Sequence, residues 1–156
     1  MTDQADIAGK LDLPPPSQVC IVVRDLQQAA AHYGNLLKIG PFVFPKIVYK
    51  NITYRGQPSD GYWEMAFARM GHLELELSCP VRTPSIYEDF LNEQGEGLHH
   101  LGFDIEDLDA TIARAESLGI DVLMSGRTDQ GGFAHLDTTK TGGTILELIQ
   151  RPAPRV

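Results

Sequence analysis

Four residues in strand-like segments carry side chains that can bind a cation or move a proton. Gln18 and His100 each begin such a segment, and Glu76 and Glu147 lie within two others. The segment around Glu147 is apolar on both faces. Its carboxylate must therefore be paired, hydrogen-bonded or bound to a cation, because a dry and solitary carboxylate costs several kcal/mol. The residues alone leave these three alternatives open.

An internal repeat relates the positions of these residues. Residues 18–26 match residues 100–108 at an offset of 82, and each copy runs from an alternating strand through Asp-Leu into an Ala-rich helix. Asp25 and Asp107 are placed to cap these helices, and Gly40 and Gly119 follow as stop signals. The repeat predicts a βαβββ unit used twice, as modules 17–80 and 97–152. Further strands are expected at 41–48, 62–70 and 72–79, and at 121–125, 132–137 and 144–150.

The predicted fold is α+β, with the two βαβββ modules forming one cupped mixed sheet and the helices on its outside. Residues 49–61 are expected to be a long loop, and Ser85 to open a short helix that runs through Leu91. Residues 1–16 are predicted to be a flexible arm, since three consecutive prolines precede the first strand, and residues 153–156 a tail.

Alternation of side chains along a strand divides each segment into two faces. Val19, Ile21 and Val23 should pack on the helices, which leaves Gln18 on the other face; His100 is its equivalent in the second copy. The Glu-Leu pairs at 76–77 and 147–148 are also equivalent, so pseudo-symmetry brings all four polar residues to one concavity. The same argument predicts three secondary roles: a structural His99 on the opposite face, a His135 at the rim, and a Glu74 of little importance beside Glu76.

The phrases IVVRDL, FDIEDL, GLHHLGF and GGTILELIQ resemble the vicinal oxygen chelate superfamily. This group contains glyoxalases, methylmalonyl-CoA epimerases, extradiol dioxygenases and antibiotic-resistance proteins. The resemblance covers roughly residues 17–152 and is strongest to methylmalonyl-CoA epimerase. It implies a divalent metal in the cup, held at the positions that Gln18, Glu76, His100 and Glu147 occupy here.

The sequence departs from the epimerase pattern in two places. Gln18 stands where such enzymes usually have a histidine, so the ligand set is rich in oxygen and favours Mg²⁺, Mn²⁺ or Co²⁺ over Zn²⁺. It also lacks the two histidines of a non-haem iron site, which counts against dioxygenase chemistry. The epimerase's second catalytic carboxylate has no clear counterpart, and Asp60 and Glu64 are the candidates for it.

Composition narrows the classes of partner. The chain of 156 residues has 13 Lys plus Arg and 21 Asp plus Glu, a net charge of −8, and no basic cluster, so nucleic-acid binding is not expected. The longest apolar run, residues 19–23, is far too short to span a membrane, and no secretory signal is evident. The expected protein is a cytoplasmic homodimer that binds a small molecule, with Cys20 and Cys79 reduced inside strands.

The resemblance favours a metal-dependent isomerase or lyase, most like an acyl-CoA epimerase. The cation would polarise a carbonyl and stabilise an enolate, while Glu147 or Glu76, as ligand and base at once, would remove the adjacent proton. Two alternatives stay open. One is a non-catalytic protein that sequesters a drug or polyketide in the cup; the other is a lactoylglutathione-lyase-type enzyme.

Overall fold

A computed structural model describes residues 11–140 and 142–153 of the chain. Within these ranges it contains three helices, α1 (Leu26–Leu37), α2 (Ile86–Gln94) and α3 (Leu108–Ser117). The strands of the same ranges are β1 (Gln18–Val22), β2 (Lys50–Tyr54), β3 (Gln57–Pro58), β4 (Tyr62–Met70), β5 (Leu73–Arg82), β6 (Gly97–Asp104), β7 (Val122–Thr128), β8 (Gly131–Leu136) and β9 (Ile145–Gln150).

The repeat is visible at the middle of one curled, mixed sheet. Strand β1 lies parallel to β5, β6 lies parallel to β9, and β1 and β6 pair antiparallel to join the two halves. The full order is β3-β2-β7-β8-β9-β6-β1-β5-β4. The predicted α+β architecture of two modules around one cupped sheet is confirmed, and each half supplies one parallel strand pair to the centre.

The predicted helix starts are confirmed by their caps. The Asp25 carboxylate accepts a hydrogen bond from the Gln28 N–H at 2.9 Å, and Asp107 accepts one from Ala110 at 3.0 Å. Each carboxylate satisfies a main-chain donor that the first helical turn leaves free. Ser85 caps α2 in the same way, and that helix continues three residues beyond Leu91, the predicted end.

Two predictions for the first module are wrong. Residues 41–48 form no strand; their contribution to the sheet is a single bridge between Val43 and Phe67. The expected loop at 49–61 instead contains the β2–β3 hairpin, and β2 pairs with β7 of the second module. Arg55 and Gly56 both have positive φ at its two-residue turn, the conformation that two-residue hairpins favour. Arg-Gly is a weaker signal for such a turn than Asn-Gly, and prolines at 41 and 45 remove donors from the segment before it.

Apolar side chains fill both sides of the sheet. Val19, Ile21 and Val23 pack with Leu26 and Ala30 of α1, as the alternation predicted. The opposite face carries a second cluster, which includes Cys20, Val22, Trp63, Met65 and Tyr87. The cup is thus lined by buried apolar residues, among which the polar site is set.

The end of the predicted arm differs from expectation where it is described. Leu11 and Leu13 pack against the cluster that contains Leu108 and Leu148, beneath α3, so these residues belong to the folded unit. Residues 1–10 and 154–156 lie outside the described ranges. No helix in 11–140 or 142–153 is long and apolar enough to cross a membrane.

Candidate metal centre and its cavity

The concave face of the sheet holds a cavity of about 280 Å³. Gln18, Glu76 and Glu147 lie in its wall, aromatic and aliphatic side chains form most of the remainder, and the other polar lining residues are Thr128, Gln150 and Arg151. Gly102 makes room for this arrangement, because a Cβ there would come within 2.9 Å of the Gln18 Cβ and 3.0 Å of its Oε1. The absence of a side chain at this position of β6 thus leaves space for the Gln18 amide.

The four residues that the sequence singled out lie together. His100 Nε2 is 2.9 Å from Glu147 Oε2, 3.4 Å from Gln18 Oε1 and 3.7 Å from Glu76 Oε2. All four side chains are buried. Gln18 at the start of β1 and His100 in the middle of β6 therefore meet the carboxylates of β5 and β9 at one point.

Neighbouring groups orient the ligand atoms toward this point. The Gln18 Nε2 donates to Glu74 Oε1 at 2.9 Å, which directs Gln18 Oε1 toward His100. The Ser78 hydroxyl donates to Glu76 Oε1 at 2.6 Å and leaves the other oxygen of Glu76 facing the centre. Glu74, for which the sequence predicts little importance, therefore contacts Gln18 directly and is placed to orient it.

His99 lies on the same side of the sheet as His100, contrary to the prediction. The pairing of β1 with β6 shifts register, with Cys20 opposite His100 and Ile21 opposite Leu98, so His99 is the extra residue of a bulge. Its Nδ1 is 2.9 Å from Nδ1 of His100. One of these two nitrogens donates to the other, and a donating His100 Nδ1–H leaves the Nε2 lone pair facing the cup.

His135 is not a rim residue. It is fully buried, directly opposite Glu147 in the β8–β9 pairing, with its Nε2 3.4 Å from Glu147 Oε1 and 3.4 Å from the Tyr87 hydroxyl. Ligand atoms of His100, His135 and Glu147 all lie within 4.8 Å of one another. The ligand set predicted from the sequence contains one histidine, whereas the structure brings a second, His135, next to Glu147. This cluster depends on the register between β8 and β9, which the local sequence pattern does not reveal.

Neither candidate for a second catalytic carboxylate reaches the cavity. Glu64 is exposed on β4, and Asp60 is exposed at the surface, where its main-chain carbonyl accepts a hydrogen bond from Arg82. Among the described residues, the carboxylates in the cavity wall are Glu76 and Glu147. Acid–base chemistry in this cup would therefore use these two groups.

Burial and mutual proximity shift the ionisation of the cluster. Burial raises the pKa of Glu147, and nearby His100 opposes that rise. Burial alone would lower the pKa of His100, but the adjacent Glu147 carboxylate raises it well above its ordinary value. Burial keeps the pKa of His135 well below its ordinary value, and it raises that of the Cys20 thiol to about 12. The charged form of His100 is therefore favoured, beside a neutral His135.

The donor set fits a divalent cation. Glu147 Oε2 is buried and has no hydrogen-bond partner, although it lies 2.9 Å from His100 Nε2, because the two groups lack the alignment of a hydrogen bond. A buried carboxylate oxygen in this position would be satisfied by a cation that His100, Glu76 and Gln18 could also reach. Three of these four donors are oxygens, which suits Mg²⁺, Mn²⁺ or Co²⁺.

Metal binding should release a proton, because the raised pKa of His100 keeps its imidazole protonated in the metal-free protein. The apparent affinity for Mn²⁺ or Co²⁺ is expected to increase from about pH 6 to about pH 8, as the proton becomes easier to displace. Titration calorimetry in buffers of different ionisation enthalpy measures the proton count directly. An affinity independent of pH would show that His100 is not a ligand.

The sequence model described as the glyoxalase/bleomycin resistance protein/dioxygenase superfamily matches residues 17–136, which include both first strands of the repeat. The chain belongs to this superfamily. The glyoxalase superfamily assignment agrees with the paired βαβββ modules and with the placement of the site inside the cup.

Individual relatives of this glyoxalase-superfamily chain are acyl-CoA epimerases. It is 28% identical to the ethylmalonyl-CoA/methylmalonyl-CoA epimerase of Cereibacter sphaeroides over 141 residues, which are 86% of this chain and 96% of the relative. It is 26% identical to the human mitochondrial methylmalonyl-CoA epimerase over 140 residues, 86% of this chain and 72% of the human protein.

Solved structures of similar fold include the Streptomyces coelicolor methylmalonyl-CoA epimerase in complex with 2-nitronate-propionyl-CoA. That structure aligns with a TM-score of 0.71 and 22% identity, over 90% of this chain and 99% of the other. The Mycobacterium tuberculosis methylmalonyl-CoA epimerase aligns with a TM-score of 0.66 and 22% identity, over 91% and 90% of the two chains. At this identity the likeness shows a shared fold.

Proposed function

We propose that this protein is a metal-dependent isomerase that removes and returns a proton next to the carbonyl of an acyl-CoA or related substrate. The observation that carries the proposal is the meeting of Gln18 Oε1, Glu76 Oε2 and Glu147 Oε2 around His100 Nε2 at the cavity. The curated relatives that act on ethylmalonyl-CoA and methylmalonyl-CoA support the acyl-CoA class.

Gln18, Glu76, His100 and Glu147 would hold the cation in the proposed enzyme. When bound, a divalent cation supplies the positive charge that stabilises a developing enolate. Glu74 and Ser78 keep Gln18 and Glu76 in place for binding. The surrounding apolar wall excludes water, which strengthens the electrostatic interactions inside the cup.

Glu147 is the proposed base. Its carboxylate lies in the cavity wall beside the proposed cation site, within reach of a substrate proton that the cation would acidify. His135 contacts its Oε1 and restricts the carboxylate to one orientation. Glu76, the other carboxylate in the described cavity wall, is the group placed to exchange a proton from a second position.

Proton exchange in D₂O tests this function without knowledge of the product. Acyl thioesters with an acidic α-proton, ethylmalonyl-CoA among them, should gain deuterium at the α-carbon when the protein is loaded with Mn²⁺ or Co²⁺, as followed by mass spectrometry. Protein treated with a chelator is the control and should give the background rate. Loaded protein that also gives the background rate with a broad panel of thioesters and 2-oxo compounds would contradict the proposal.

A sequestering protein is the second candidate. It is favoured by the absence of any cavity-facing carboxylate from residues 41–64, all of which are described, since neither Asp60 nor Glu64 reaches the cup. Tight binding of an apolar ligand without exchange, and without a need for metal, would support this candidate over the isomerase. Lyase action on a glutathione thiohemiacetal would begin with the same proton removal, and its product distinguishes it from an isomerase.

We also propose that the protein is a cytoplasmic homodimer. Exposed apolar side chains at Val43, Phe44 and Val48 offer surface that a second copy could cover. Light scattering should give twice the mass of one chain, and a monomer at micromolar concentration would contradict the dimer.

The role of Gln18 can be tested by Gln18→His. Imidazole is a stronger donor than a neutral amide to Zn²⁺ and Ni²⁺, so the substitution should tighten the binding of these ions by about tenfold or more. Competition titration against a chelating dye measures the change. Unchanged affinities would show that the side chain at position 18 does not reach the cation.

A further inference from the structure

Aromatic side chains line the cavity beside its polar cluster. Tyr49 stacks on Trp63 with ring centroids 5.5 Å apart and an angle of 17° between the planes, and its ring meets Phe133 edge-on at 4.7 Å. Trp63 also contacts Phe133 at 5.6 Å and Tyr87 at 5.4 Å. These four side chains, the aromatic wall, all line the cavity. A connected set of rings is a preformed surface for a planar or bulky apolar group.

Among the described residues of the cavity wall, no cationic side chain is free to pair with an anionic group of a ligand, apart from the group that the metal ion would bind. Arg151 is the one cationic residue among the described lining residues. Its guanidinium is occupied by Asp104 at 2.7 Å and by Glu74 at 3.0 Å. An anionic substituent placed against the aromatic wall would therefore be buried without a partner, which is strongly unfavourable. The wall selects for an apolar group.

The size of the cavity permits such a group together with a chelating head. A cavity of about 150 Å³ is enough to bind benzene, and this one has about 280 Å³.

We infer that the natural substrate carries an aromatic or similarly large apolar group on the carbon that is bonded to its chelating carbonyl groups. The aromatic wall is the pocket for that group. The inference rests on the proposed function, since the cation cluster would hold the chelating end. It narrows the substrate class to compounds larger and less polar than those with a small alkyl group at that carbon.

Phenylmalonate and methylmalonate form a matched pair of probes. Both present the same two carboxylates to a cation, and they differ only in a phenyl or methyl group on the carbon between them. The chain contains a single tryptophan, Trp63, and it lies in the aromatic wall, so quenching of its fluorescence reports binding at this cavity. In Co²⁺-loaded protein, phenylmalonate should bind about tenfold or more tightly than methylmalonate, because its ring buries more apolar surface.

Tyr49→Leu tests whether the aromatic wall causes the preference. Tyr49 is only partly buried, and its replacement should reduce the affinity for phenylmalonate more than that for methylmalonate, which lowers their ratio at least threefold or so. Tyr62→Leu is the matched control, because Tyr62 lies on β4 but does not line this cavity, and it should leave the ratio unchanged.

The outcomes separate this inference from the proposed function. Equal affinities for the two probes, or tighter binding of methylmalonate, would overturn the apolar-substrate inference while leaving chelation in the cup intact. Failure of both probes to bind to protein that holds Co²⁺ would overturn the chelating step of the proposed function, and the inference with it. A preference for phenylmalonate that survives Tyr49→Leu but not Tyr62→Leu would place the apolar pocket elsewhere and also overturn it.

Discussion

Glu147→Gln should lower the rate of metal-dependent α-proton exchange by about 10³-fold, within the range that removal of a general base produces. The amide has the shape of the carboxylate and keeps its place between His100 and His135, so the fold should persist. It can neither accept the proton nor neutralise a cation, and metal affinity should fall as well. Exchange measured by mass spectrometry at saturating metal separates the two losses.

Glu64→Gln is the control for that substitution. It makes the same chemical change on an exposed position of β4, outside the cavity, and should leave both exchange and metal affinity within twofold or so of the parent protein. Exchange that survives Glu147→Gln at saturating metal would assign the base to another residue, and Glu76 would be the first to replace. Loss of exchange in Glu64→Gln would restore Glu64 as the second catalytic carboxylate.

Gly131→Ala should destabilise the protein by about 3 kcal/mol or more, the range of severe overpacking. A methyl group at Gly131 would overlap the main-chain carbonyl oxygen of Gln150 and stand 2.9 Å from its carbon, where β8 runs beside β9. Neither main chain can yield without loosening the pairing that places His135 opposite Glu147. Denaturant unfolding monitored by circular dichroism gives the free energy of unfolding.

Gly34→Ala makes the same change with the opposite expected sign. Gly34 lies inside α1, and its added Cβ would meet only ordinary contact, 3.5 Å from the Ile39 carbonyl oxygen. Alanine favours the helix over glycine, so stability should rise by about 0.5–1 kcal/mol. If Gly131→Ala left the free energy of unfolding unchanged, the close pairing of β8 with β9 at that point would be incorrect.

The repeat accounts for what could be predicted of the site. A strand with alternating side chains and a duplicated unit together fix which residues share a concave face, so Gln18, Glu76, His100 and Glu147 followed from the sequence without any structure. The caps of α1 and α3 could also be predicted, because each is a local signal in which one carboxylate accepts a hydrogen bond from a main-chain N–H of the first turn.

The errors share a physical cause, which is that pairing between distant strands overrides local pattern. His99 was misplaced because a bulge in β6 shifts its face by one residue, and nothing near it in sequence marks the bulge. His135 was predicted at the rim because its own segment does not reveal that it pairs directly opposite Glu147 of β9. The β2–β3 hairpin was not predicted because the strand that pairs with β2 is β7, some 70 residues later; Thr53 and Ser125, which contact each other across this pairing, are 72 residues apart.

Each half of the chain holds half of the proposed ligand set. Gln18 and Glu76 belong to the first module, His100 and Glu147 to the second, and the halves join through β1–β6 and β2–β7. An ion bound by all four would act as a cross-link between the halves and add about 2.7 kcal/mol of stability at a concentration of 100 Kd. Two fragments cut between α2 and β6 should therefore reassociate more tightly when that ion is present, which makes fragment complementation a measure of metal binding independent of any reaction.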